Sequence, residues 1–71
     1  MKMNYNRLWK LLIDKGMTKT EMRKAAGISS SSLAKLGKGE NVTTEVLLRI
    51  CKVLDCDDLS QIVEIEKDDN N

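Results

Sequence analysis

The stretch "TKTEMRKAAGISSSSLAKLGKGEN", residues 18–41, decides the fold because it contains the start and stop signals of two short helices. Thr18 and Glu21 form a capping box, in which the threonine hydroxyl accepts the Glu21 amide and the carboxylate accepts the Thr18 amide. A helix therefore begins at about Lys19, and Gly27 ends it after about two turns. So short a helix is not stable alone, and we expect it to pack against the rest of the chain.

The four serines that follow open a third helix. Ser29 is a favoured N-cap residue, and its hydroxyl can accept the amide of Ser32. Leu33 and Leu36 then continue an apolar face at helical spacing, which a flexible serine linker would lack. We expect this helix to end near Leu36, followed by a loop over "GKGEN", residues 37–41.

Helices on either side of this stretch follow from apolar residues at three- and four-residue spacing. The segment "NYNRLWKLLIDK", residues 4–15, predicts a first helix. The segment "EVLLRICKVL", residues 45–54, predicts a fourth helix that begins at Thr43 or Thr44. Both carry a continuous apolar stripe, so both are expected to contribute to the core.

A capping box between Asp58 and Gln61 predicts a last short helix that ends at about Val63. The remaining residues, 64–71, are polar and acidic and are expected to fray. The sequence therefore predicts one all-α domain over 1–63, a compact five-helix bundle.

Composition excludes several classes of protein. The chain has 71 residues and no proline or histidine, which allows one small domain and argues against a zinc site or a histidine-based catalytic centre. Its apolar runs are far too short to span a bilayer, so we expect a cytoplasmic protein. Cys51 and Cys56 are expected to be reduced and structural. No enzymatic activity, metal or cofactor is predicted.

The net charge of +1 conceals an asymmetry along the chain. Residues 1–41 carry nine lysines and arginines against three acidic residues, whereas residues 42–71 carry three against eight. A basic first half suggests contact with a polyanion. The acidic second half is expected to face solvent or a protein partner.

Two short helices joined by Gly-Ile-Ser are typical of a helix-turn-helix, in which the second helix enters the major groove of DNA. We assign this helix-turn-helix unit to residues about 18–38. From Leu8 to Ile62 the chain resembles the Cro and phage-repressor family of regulators, also called xenobiotic-response-element-like. The resemblance is carried by "GMTKTEMRKAAGISSSSLAKLGKGENVTTEVLLRICKVLDC", residues 16–56, and is greatest to a compact single-domain subgroup.

The resemblance implies a set of DNA contacts. Base edges would be met by Ser30, Ser31 and Lys35, with Ser32 beside them. The phosphate backbone would be met by Thr18, Lys19, Ser29, Lys38, Asn41 and Thr43. The physical chemistry agrees, since a lysine can reach guanine O6 and N7, whereas serine accepts several bases and discriminates poorly.

The leading hypothesis is a sequence-specific transcriptional regulator, with repression expected, that binds double-stranded DNA as a homodimer formed in solution or on DNA. The alternative is a helix-turn-helix fold used as a protein-interaction or antitoxin-like subunit. The sequence pI of 7.7 and the acidic residues Glu64, Glu66, Asp68 and Asp69 favour that alternative. Trp9 is expected in the core or at a dimer contact.

Overall fold

The computed structural model describes residues 2–67, which form four α-helices, one 3₁₀ helix and two short strands. The elements, in chain order, are β1 (Lys2–Asn4), α1 (Asn6–Asp14), α2 (Lys19–Ala26), α3 (Ser30–Lys38), α4 (Thr44–Leu54), the 3₁₀ helix (Leu59–Gln61) and β2 (Glu64–Glu66). Within these described residues, no helix is long and apolar enough to cross a membrane.

Each of the four α-helices supplies buried side chains to one core. The fully buried members are Leu8, Met22, Leu36, Ile50, Leu54 and Ile62. Helix α2 packs on both α3 and α4, which holds the helix-turn-helix unit against the body of the domain. Cys51 belongs to this core, and both Cys51 and Cys56 are free thiols.

The predicted helix starts are confirmed at α2, α3 and α4. Thr18, Ser29 and Thr43 are their N-caps, and each hydroxyl accepts a backbone amide three residues later. The predicted end of α2 at Gly27 is also confirmed, because Gly27 has a left-handed φ of 68°. Local signals therefore specify most of the helical framework.

The end of α3 lies later than predicted. Residues 37–41 were expected to form a loop, but Gly37 and Lys38 continue the helix. The second glycine ends it: Gly39 has a φ of 73°, and its amide donates to the carbonyl of Leu36 at 3.2 Å. A Cβ atom at Gly37 would meet no other atom within 4 Å, and its φ is not left-handed, so Gly37 is an ordinary helical position.

The predicted all-α, five-helix bundle is wrong in two respects. The fifth helix is a single 3₁₀ turn, and two three-residue strands pair antiparallel with Met3 opposite Ile65. The first helix consequently begins at Asn6 rather than residue 4. Strands this short carry too few residues to show an alternating pattern, and their pairing joins opposite ends of the chain.

The sequence predicted a frayed tail from residue 64 onward. Residues 64–66 instead form a strand. Polar contacts reinforce the pairing: Lys2 lies 3.6 Å from the Glu66 carboxylate, and the Asn4 side-chain amide donates to Glu66. Arg7 lies 3.3 Å from the Glu64 carboxylate. The rest of the expected tail, 68–71, lies outside the described residues.

Candidate nucleic-acid interface

The start of α2 is a closed capping box. The Thr18 hydroxyl accepts the Glu21 amide at 3.0 Å, and the Glu21 carboxylate accepts the Thr18 amide at 2.9 Å. The bond from the Thr18 amide stabilises the charged carboxylate, and the adjacent Thr18 hydroxyl adds to the effect, so the pKa of Glu21 is lowered. The amides of Lys19 and Thr20 have no partner within the helix, so they face outward with the positive end of the helix dipole.

The four serines at the start of α3 divide into two pairs. Ser29 is the cap: its hydroxyl accepts the Ser32 amide at 3.0 Å and donates to the Ser32 hydroxyl at 3.1 Å. Ser30 and Ser31 are exposed, and their hydroxyls make no hydrogen bond with any residue from 2 to 67. Two serines therefore build the helix start, while the other two are available to an external partner.

Helix α3 presents a polar row to solvent. Ser31, Lys35 and Lys38 are spaced by four and three residues, which places them on one face, and all three are exposed. On another face Leu36 is buried at 1 % exposure. Neither lysine forms a salt bridge within the described part of the chain, so both ammonium groups remain available for an anion.

The loop after α3, residues 40–43, is anchored by side-chain hydrogen bonds. The Tyr5 hydroxyl donates to the carbonyl of Glu40 at 2.8 Å, and burial raises the pKa of Tyr5. Thr43 uses its hydroxyl oxygen to accept the Val46 amide at 3.2 Å as the cap of α4. Asn41 is exposed and borders a small pocket with Met3 of β1. The loop is therefore anchored at both ends.

Trp9 lies between the start of α2 and the end of α3, an arrangement that the sequence did not indicate. The Lys19 ammonium lies 4.2 Å from the centroid of the Trp9 ring. Trp9 also lines a cleft of about 310 Å³ with Gly37 and Lys38 at the end of α3. The sequence does not predict this contact, because it depends on how α1 is oriented against α2, which periodicity does not report.

Residues 7–68 match a family model described as Cro/C1-type HTH DNA-binding domain. Among solved structures, the chain is similar to the crystal structure of the transcriptional regulator VanUg, Form II. The two are 56 % identical with a TM-score of 0.85, and the match covers 89 % of this chain and 83 % of that one. No curated protein matches the chain.

Proposed function

The chain belongs to the Cro/C1-type HTH DNA-binding domain family, and from that membership we propose that it is a sequence-specific transcriptional repressor whose α3 enters the major groove. The observation that carries the proposal is the exposed polar row of α3. Ser31, Lys35 and Lys38 share one face of the helix and lack ionic partners between residues 2 and 67. The similarity to a transcriptional regulator over most of both chains supports the same proposal.

Sequence reading is assigned to the first turns of α3. Lys35 is the strongest discriminator, because its ammonium can donate to guanine O6 and N7. Ser30 and Ser31 have free hydroxyls that donate to or accept from several bases. Ser32 is half-buried and bonded to Ser29, so it contributes at the flank. Modest direct discrimination then leaves a part of specificity to DNA shape.

Phosphate contacts are assigned to both sides of this helix. Thr18 and Lys19 at the start of α2 offer a hydroxyl, free amides and a positive charge, which together suit a phosphate oxygen. Ser29 is assigned to phosphate through the free amides that follow it at the start of α3, because its own hydroxyl is bonded to Ser32. Beyond α3, Lys38 supplies a charge. In the following loop, Asn41 and Thr43 supply polar side chains, and all of these groups position the protein without reading bases.

In this proposal, repression results when the protein occupies DNA at a promoter. Two copies on half-sites of a pseudo-palindrome about 34 Å apart would each insert α3 into the major groove on one face of DNA. A bound pair at a promoter would exclude polymerase. We propose that this homodimer forms on DNA, where the half-site spacing brings the two copies together.

The alternative, a protein partner bound by the acidic half of the chain, has less support. Glu64 and Glu66 are paired with Arg7 and Lys2 of the same chain. A basic partner would have to replace these intramolecular contacts. Asp68 and Asp69, the other acidic residues of that hypothesis, lie outside the described residues.

The proposal is tested by fluorescence anisotropy of labelled duplexes, beginning with DNA that flanks the protein's own gene. We expect one fragment to bind at least about 10³-fold more tightly than random DNA, and affinity to fall steeply between about 50 and 200 mM salt. Lys38→Ala should weaken binding. Lys52→Ala in the last turn of α4 removes the same charge away from the proposed interface and should not. Equal affinity for every fragment would contradict sequence-specific regulation.

A further inference from the structure

Trp9 supports the side chain of Lys19, the first residue of α2. The distance of 4.2 Å between the Lys19 ammonium and the ring centroid is well inside the range of about 6 Å over which an indole ring attracts a cation. Trp9 itself is half-buried and packs against the core. A ring held in place by the core therefore restrains an otherwise flexible, exposed charge.

The charge of Lys19 is not neutralised by this contact. Lys19 forms no salt bridge with residues 2–67, and the nearby Glu21 carboxylate is committed to the Thr18 amide. An aromatic ring attracts the ammonium through its quadrupole but carries no net charge. The ammonium can therefore still bind an anion in front of the α2 amides.

Trp9 also borders the end of α3. It lines the same cleft as Lys38, together with the fully buried Leu36. The indole thus contacts Lys19 at the start of α2 and shares a cleft with Lys38 at the end of α3, two residues to which phosphate contacts are assigned. A leucine at this position could pack against the core but could not attract an ammonium group.

We propose that Trp9 is a positioning residue for DNA binding, whose ring holds the Lys19 ammonium where it meets a backbone phosphate. The inference rests on the proposed function and names a residue that the family match does not assign. Lysine loses side-chain freedom when it binds a phosphate. Because the ring has already removed part of that freedom in the free protein, association costs less.

The test is a double-mutant cycle on a labelled random-sequence duplex of roughly 20 base pairs, about two helical turns. Phosphate contacts do not depend on sequence, so no operator is needed. Trp9→Leu should weaken binding about two- to fivefold when Lys19 is present. In the Lys19→Met background, the same change should have no effect. Lys19→Met should also lower the slope of log affinity against log salt by about 1.

Two further measurements separate positioning from packing. Trp9→Phe keeps an aromatic face, so its affinity should stay within about twofold of wild type. Trp9 is the only tryptophan in the chain, so its emission reports the contact directly. Lys19→Met should alter that emission in the free protein and lower the melting temperature by no more than about 4–8 °C, because only the exposed cation–π contact is lost.

Several results would overturn the proposal. An equal loss of affinity from Trp9→Leu in both backgrounds would make Trp9 a packing residue. If Trp9→Phe bound as weakly as Trp9→Leu, an aromatic ring at this position would not be what holds Lys19. If Lys19→Met binds like wild type while Lys38→Ala is weakened, the role of Trp9 fails and DNA binding stands. If the wild-type protein binds no duplex at about 50 mM salt, both proposals fail.

Discussion

The helix-turn-helix unit and the terminal sheet are held together in different ways. The unit is specified by contacts within three residues, such as the hydroxyl of Thr18 on the amide of Glu21. The sheet is specified by contacts across more than fifty residues, such as the pairing of Met3 with Ile65 and of Lys2 with Glu66. Local bonds close the caps at the starts of α2 and α3, whereas the sheet joins the basic first half of the chain to its acidic second half.

The largest difference between the two regions should come from deleting apolar side chains. Leu36→Ala removes the one buried residue of α3 and should cost about 2–5 kcal/mol. Ile65→Ala in β2 truncates a side chain that is 61 % exposed and should change stability by no more than about 0.5 kcal/mol. Urea unfolding measures both. Similar losses would mean that the sheet contributes as much to the core as the helix-turn-helix unit.

Removing the N-cap of α2 should have the second-largest effect on stability. Thr18→Ala leaves the Glu21 amide without its partner and should cost about 1 kcal/mol, or roughly 4–8 °C in melting temperature. Thr18→Ser, which keeps the hydroxyl, is the matched control and should melt close to wild type. Asp58→Ala removes the equivalent cap of the single 3₁₀ turn and should cost less. A larger loss at Asp58 would reverse the comparison.

The two glycines at the end of α3 should respond in opposite directions. Gly37→Ala places a methyl group in open space within the helix and should stabilise the protein by about 0.4–1 kcal/mol. Gly39→Ala forces a left-handed φ of 73° on alanine and should destabilise it by about 1 kcal/mol. Thermal melts of both variants measure these opposite changes in stability. A loss at Gly37 would show that α3 ends where the sequence first suggested.

The two regions also differ in how far the sequence predicts them. The caps at Thr18, Ser29 and Thr43 were predictable because each is a bond between residues three apart. The sheet was not, because pairing Met3 with Ile65 depends on where the whole chain brings its ends. The same holds for the ring of Trp9 beneath Lys19. The base and phosphate contacts remain predictions, made from residue type, helix face and family resemblance.

A smaller, pH-dependent effect should distinguish the capping box of α2. The pKa of Glu21 is lowered from its ordinary value of 4.5 by the Thr18 amide and hydroxyl. The folded state therefore gains stability above the unfolded pKa and loses it as pH falls through the folded pKa. Melting of wild type should decline more steeply below about pH 5 than melting of Glu21→Gln, which keeps the geometry without titrating. Parallel curves would show that the box carries no charge-assisted bond.

The central claim is that the exposed row of α3 divides into a reading residue, Lys35, and an anchoring residue, Lys38. Selection from a pool of random duplexes, repeated with Lys35→Ala and Lys38→Ala, tests it most directly. Lys35→Ala should change which sequences are enriched. Lys38→Ala should enrich the same sequences, with affinity lowered about equally for all and the salt slope reduced by about 1. If both variants enrich the wild-type sequences with the same loss of affinity, α3 does not read DNA through Lys35.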